Sequence, residues 1–219
     1  MKSKRKIVMI GMLLIMVICM ATIGIYYWYN STYFVSTEDA KVDGDLYKIS
    51  SQISGKLLEF NGEEGTMVDK EQIVGQQELA GQPDSNLDTS VLRAPIKGTI
   101  IKKAVNAGEI VTAGQVLAYV VDTDKVYITA NIEETKLIKL REGEKVDISI
   151  DKYKGKKFTG LIQSIGEASA SEFSLLPTST SANFTKVVQK VPVKIKLNSY
   201  GKVKLLPGIN AVVRIHVKQ

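Results

Sequence analysis

The segment ISGKLLEFNGEEGTMVDKEQIV, beginning at Ile53, aligns without a gap on IKGTIIKKAVNAGEIVTAGQVL, beginning at Ile96, at a constant offset of 43 residues. Ile53, Gly55, Gly65, Val68 and Gln72 recur as Ile96, Gly98, Gly108, Val111 and Gln115, and Leu57/Ile100, Met67/Ile110 and Val74/Leu117 keep apolar character. These short β-branched runs punctuated by glycine read as strands. Gly55, Gly65, Gly98 and Gly108 are the expected structural turn residues, with Gly65 and Gly108, in EEGTMV and NAGEIV, placed where a tight turn calls for a positive φ. Neither copy can bury an apolar face alone. Two copies facing each other about a pseudo-twofold axis form a β-sandwich, and the polar stretch between them, 77–91, becomes a projecting connector.

The N-terminus imposes a second constraint. Lys2, Lys4, Arg5 and Lys6 precede an uncharged run from Ile7 to Tyr29. At 1.5 Å per residue its roughly 23 residues cover a bilayer core of about 30 Å. The basic cluster is expected to stay cytoplasmic, with Tyr26, Tyr27, Trp28 and Tyr29 at the opposite headgroup layer and everything beyond outside the cell membrane. A cleavable signal peptide is the rival, but its apolar region is shorter and ends in a small-x-small site, which this bulky end lacks. Cys19, the sole cysteine, lies inside the run, so no disulfide framework exists. Setting aside the four basic residues of the N-terminus leaves 25 Lys and Arg against 23 Asp and Glu, which removes the motive for nucleic-acid binding.

These features resemble the barrel-sandwich hybrid of biotinyl and lipoyl domains, which also serves membrane fusion proteins of the HlyD/EmrA type. Cofactor carriers of that fold attach biotin or lipoate to a lysine between the half-motifs, and no lysine lies between Glu71 and Leu92. No cofactor is therefore expected. The strings STEDAKVDGDLYKISSQISGK, VYITANIEETKLIKLREGEKVDISID, FSLLP and NFTKVVQKVPVKI look like the drug-efflux branch of the fusion proteins. The resemblance implies an inner-membrane transporter as partner, of major facilitator or ABC type, and a homo-oligomer. The departure is the connector: Gram-negative members carry a long helical hairpin there, whereas residues 77–91 folded as two helices would extend only about 10 Å.

Beyond Asp124, Val126 to Ile132, Val146 to Ile150 and Phe158 to Ile165 read as strands, with a short helix over Glu133 to Arg141. Val187, Val191, Val193, Ile195 and Leu197 share one face of a later strand in which Pro192 suggests an edge. In the last strand Ile209, Ala211, Val213, Ile215 and Val217 face inward, leaving His216 on the polar face beside Arg214 and Lys218. A small antiparallel barrel fits. The acidic pairs Glu38/Asp39 and Glu63/Glu64 would point to opposite faces of a strand and read as solvated charge, not as metal ligands or a general acid and base. No Ser/His/Asp, Cys/His or metal-ligand cluster assembles around the single histidine.

The expected organisation is mainly β: a cytoplasmic tail 1–6, a transmembrane helix 7–29, a linker and first strand 30–44, a lipoyl-like sandwich 45–122 and a β-barrel 123–219. Its function is expected to be that of a non-catalytic, membrane-anchored adaptor of an export system for drugs or other small molecules. A membrane-tethered structural or regulatory module that binds another surface component without transport is the alternative. Candidate contacts for a partner or substrate are Leu79 and Leu87 in the connector, and Phe173, Leu175, Leu176 and Phe184 in the loop SEFSLLPTSTSANFTK. Those loop residues either close one end of the barrel or form an exposed patch.

Overall fold

The computed structural model describes residues 2–78, 90–166, 188–199 and 203–217. Leu79, Leu87, Phe173, Leu175, Leu176 and Phe184, together with Val187 and Lys218, lie outside the described residues. The chain divides into two units, one of Val42–Tyr127 with Gly201–Ile209, the other of Met1–Lys41, Ile128–Tyr200 and Asn210–Gln219.

Among the described residues of the first unit the repeat generates eight short strands. These are β2 (Leu46–Ser50), β3 (Gly55–Phe60), β4 (Met67–Val68) and β5 (Ile73–Gln77), then β6 (Val91–Arg93), β7 (Gly98–Lys103), β8 (Ile110–Val111) and β9 (Val116–Val121). They form two four-stranded sheets, β2-β9-β7-β4 and β6-β5-β3-β8. Each sheet takes strands from both copies, so the copies interlock rather than merely face each other. Backbone bonds obey the twofold: Gly65 N–H donates to Ile100 O and Gly108 N–H to Leu57 O, both at 2.7 Å. Leu57, Val68 and Val74 from one copy and Ile100, Val111 and Leu117 from the other share a buried cluster.

The recurrence of glutamine has a local cause. Gln72 Oε1 accepts from Asp69 N–H at 2.8 Å and Gln115 Oε1 from Thr112 N–H at 3.0 Å, closing each turn. Gly65 and Gly108 hold φ of +88° and +92°. Gly55 and Gly98, however, are the first residues of β3 and β7 and not turn residues. A Cβ on Gly55 would lie 2.2 Å from Glu78 O, and one on Gly98 2.3 Å from Val121 O, so close backbone approach demands glycine there.

The second unit is a closed barrel in the order β1-β10-β13-β12-β11-β14. Its strands are β1 (Phe34–Asp43), β10 (Tyr127–Glu133), β11 (Lys145–Ile150), β12 (Lys157–Ile165), β13 (Lys190–Ser199) and β14 (Asn210–His216). Alternation places Val35, Ile128, Ile148, Ile162, Ile195 and Ile215 inside. Closure leaves no edge, so Pro192 is not an edge residue; it stands third in β13, and its carbonyl accepts from Gly166 N–H at 2.9 Å. The expected helix over Glu133 to Arg141 contracts to α2 (Glu134–Leu137), because Glu133 is held in β10 and Leu140 turns into the core.

Two boundaries also move. The N-terminal helix α1 (Lys2–Tyr33) runs straight into β1 with no linker, and β1 is a barrel strand, pairing Phe34 with His216 and Lys41 with Asn210. Conversely, Gly201–Ile209 belongs with the sandwich, where Val42 N–H donates to Ile209 O at 2.8 Å and Leu205 is fully buried.

Candidate functional site

The connector is rooted on a polar pair. Ser51 and Gln77 occupy the positions that Ala94 and Val120 hold in the twofold-related half, and both are buried. Ser51 Oγ lies 2.8 Å from Gln77 Oε1 and also donates to Ile53 O. Gln77 is thus a core residue, which corrects the reading of the whole connector as a surface segment; its polarity disguises its burial. Beside it lies a cleft of about 580 Å³ lined by Lys48, Ser51, Glu71 and Arg93 among others. Glu71 adopts φ +64°, the only positive value outside glycine among the described residues, at the position equivalent to Gly114, φ +83°.

The rim of the barrel that receives α1 is the other distinctive place. A helix ends with unsatisfied carbonyls and a partial negative charge, and the last turn of α1 carries no basic residue of its own. The barrel supplies the donors. Lys139 Nζ donates to Ser31 O at 3.1 Å, Val217 N–H to Tyr33 O at 3.0 Å, and the Arg214 guanidinium to Asn30 Oδ1. Arg214 also lies over the Phe34 ring, 3.9 Å from its centroid, while Phe34 meets His216 edge-on. His216 Nε2 is 2.7 Å from Asp147 Oδ2. Alternation alone puts His216 and Arg214 on the polar face of β14, but their shared task is not legible in the sequence, because Asp147 and Asn30 reach them only through barrel closure.

The acidic pairs resolve differently from one another. Asp39 accepts from Lys190 Nζ at 2.7 Å and from Asn131 Nδ2 at 3.0 Å, bracing β1, β10 and β13. The Lys190 bond, followed by that from Asn131, holds the Asp39 carboxyl below its ordinary value, and the same ion pair raises Lys190. Glu63 and Glu64 do not diverge; they lie in a turn, and both meet Lys103, Glu63 Oε1 at its Nζ (2.6 Å) and Glu64 Oε1 at its N–H (3.1 Å). Among the described residues no group of three or more His, Cys, Asp or Glu side chains could hold a metal ion.

An interlocked lipoyl-like sandwich with a lysine-free connector, joined in one chain to a six-stranded barrel that caps an apolar helix, defines the adaptor class of membrane proteins. Comparison with known proteins carries this to the family. Residues 45–122 match the YhbJ barrel-sandwich hybrid domain and residues 125–216 the AAEA-like β-barrel domain. The chain is 39% identical over 187 residues to the putative efflux system component YhbJ of Bacillus subtilis, covering 85% of this chain and 81% of that protein. It is 36% identical over 136 residues to the multidrug export protein EmrA of Haemophilus influenzae, covering 60% of this chain but only 35% of that relative's length. Among solved structures, the periplasmic adaptor protein EmrA matches with TM-score 0.60 at 15% identity, and ZneB of Cupriavidus metallidurans with 0.64 at 13%, each over 85% of this chain and 99% of the other. The chain belongs to the membrane fusion protein family, in its EmrA-like efflux branch.

Proposed function

We propose that this chain is the non-catalytic adaptor of an efflux system, anchored by α1 with its N-terminus in the cytoplasm and both β units outside. It works as a homo-oligomer beside a polytopic transporter of the major facilitator or ABC type, which supplies the energy and moves drugs or other small molecules. The observation that carries this reading is the direct joining of α1 to the barrel. Gly11–Tyr33 is long and apolar enough to cross a bilayer, and its last carbonyls are capped by barrel groups, so the barrel is tied directly to the end of the anchor, which supports a role beside a membrane partner. The names of the relatives supply the substrate class. The sandwich has no lysine in its connector, which removes the carrier chemistry of its fold.

The test has two arms. In a Cys19→Ser background, an engineered Lys154→Cys is expected to react with an impermeant thiol reagent in intact cells, and Lys4→Cys only after lysis. Deletion of the gene is expected to raise retention of a fluorescent cationic dye, with rescue by the full chain and not by one lacking residues 1–29. Labelling in the reverse order would overturn the topology, and dye export that is indifferent to the chain would overturn the adaptor role. The short connector favours a second reading, a tethered binding module without transport, and unchanged export combined with an altered cell envelope would select it.

A further inference from the structure

We infer that the turn at the end of α2 is a membrane-surface foot: Ile138 enters the outer leaflet beside α1, flanked by Lys136 and Lys139 at the level of the lipid phosphates. The inference rests on the reading of α1 as a transmembrane anchor and adds to it a second, independent contact with lipid. Ile138 follows α2 directly and is 89% exposed, more than Ile110 at 81%. Its neighbours Leu137 and Leu140 are half-buried and buried, so the turn has spent its other apolar groups on the barrel. A lone exposed apolar residue on a surface is ordinary; its height makes this one informative.

That height follows from one bond. Lys139, adjacent to Ile138, reaches Ser31 O at 3.1 Å, in the last turn of α1. Ser31 is three residues beyond Trp28, hence about 4.5 Å further along the helix axis. The cluster Tyr26, Tyr27, Trp28 and Tyr29 is amphipathic and exposed, and such rings settle at the headgroup boundary. The Lys139 ammonium therefore stands at the level of this layer, and the turn lies within the length of one lysine side chain from it.

Topology agrees. Phe34 and His216, the paired ends of β1 and β14, lie on the rim that receives α1. On that rim Glu134 N–H donates to Gln189 O, which brings Val188, itself half exposed, next to α2. Lys136 is paired with Glu133 at 2.9 Å and Lys139 with the helix carbonyl, so two lysines close to Ile138 in sequence carry anchored ammonium groups with donors to spare for a phosphate. An apolar tip between two lysines is suited to an interface whose acyl boundary lies just beneath a layer of phosphate.

The test uses the full-length chain in phosphatidylcholine/phosphatidylglycerol vesicles containing lipid brominated near the glycerol end of its acyl chains. Trp28 is the only tryptophan, so it reports the anchor as it stands. Ile138→Trp and Lys154→Trp are each made in a Trp28→Phe background; Lys154 is exposed next to the 3-10 turn Asp151–Tyr153, on the opposite rim of the barrel. The expected result is that brominated lipid quenches the indole of Ile138→Trp to an extent comparable with Trp28 and that aqueous iodide does not, whereas Lys154→Trp shows the reverse. Quenching of Trp28 with Ile138→Trp open to iodide and untouched by lipid would overturn the foot while leaving the anchor standing. Failure of Trp28 itself to be quenched would overturn both. Shielding of Ile138→Trp that appears only when a partner transporter shares the membrane would assign the turn to a protein contact and overturn the lipid assignment.

Discussion

Gly98 and Gly108 recur in the same repeat for different physical reasons, and substitution separates them. At Gly108 the space around a new Cβ is open and only the left-handed backbone, φ +92°, is unfavourable to other residues. Gly108→Ala is expected to cost about 1–2 kcal/mol. At Gly98 the Cβ would lie 2.3 Å from Val121 O, a backbone atom fixed by strand pairing, so Gly98→Ala is expected to exceed about 3 kcal/mol. Urea denaturation of the detergent-solubilised chain checks the order, and equal costs would mean that β7 and β9 can part without penalty. Both glycines look alike in the sequence: recurrence marks them as required, yet a strand-start glycine and a turn glycine leave the same letter. Asp39 gives a pH prediction at the same scale. Its folded carboxyl titrates lower than its unfolded one, so its contribution is complete above the ordinary aspartate range and is lost as pH falls through the lowered folded value. Asp39→Asn is expected to lower the melting temperature at neutral pH, by an amount reduced by solvent screening of this half-exposed pair, and to melt together with the parent at strongly acidic pH. A difference that persists in acid would place the effect elsewhere than in the Lys190 pair.

At the scale of elements, β1 decides whether the barrel closes. It lies between β10 and β14, and its register joins Phe34 to His216 at nearly opposite ends of the chain. A chain beginning at Phe34 is expected to retain slow amide exchange in β10 and β14, whereas one beginning at Gly44 exposes both strands as edges and is expected to lose that protection and to associate. Retained protection without β1 would show that β10 and β14 can close the barrel by pairing directly. The sequence disclosed the alternating strands β11 to β14 because a half-buried strand carries its pattern locally. It could not disclose that β1, directly after Tyr33, completes the same barrel, since that is a property of pairing across the chain. The same limit explains Pro192: within one strand a proline signals an edge, but closure abolishes edges, and its position near the start of β13 keeps the cost local.

At the scale of the whole molecule, the repeat made the sandwich legible, while the interlocking of its copies came only from knowing which strands pair. That interlocking governs what the connector can do. β5 and β6, on either side of it, are hydrogen-bonded neighbours in one sheet, Gln76 opposite Val91, so the sheet itself holds the two roots together. Replacing residues 79–89 by a Gly/Ser segment of equal length is therefore expected to leave the melting temperature nearly unchanged, because closure entropy depends weakly on composition at fixed length. Extending the replacement to Gln77 is expected to destabilise, since Ser51 loses its buried partner at 2.8 Å and a core side chain disappears. With folding controlled in this way, export reports on function alone. If the barrel rim and α1 engage the transporter, the 79–89 replacement is expected to export normally, because neither contact includes the connector. If the connector docks a partner, Leu79 and Leu87 are its only large apolar anchors, and their loss must abolish assembly in a protein that still folds and inserts. So short and polar a segment offers little area for a specific contact, which favours normal export. Loss of export from the folded variant would reverse that assignment and make the connector the docking site.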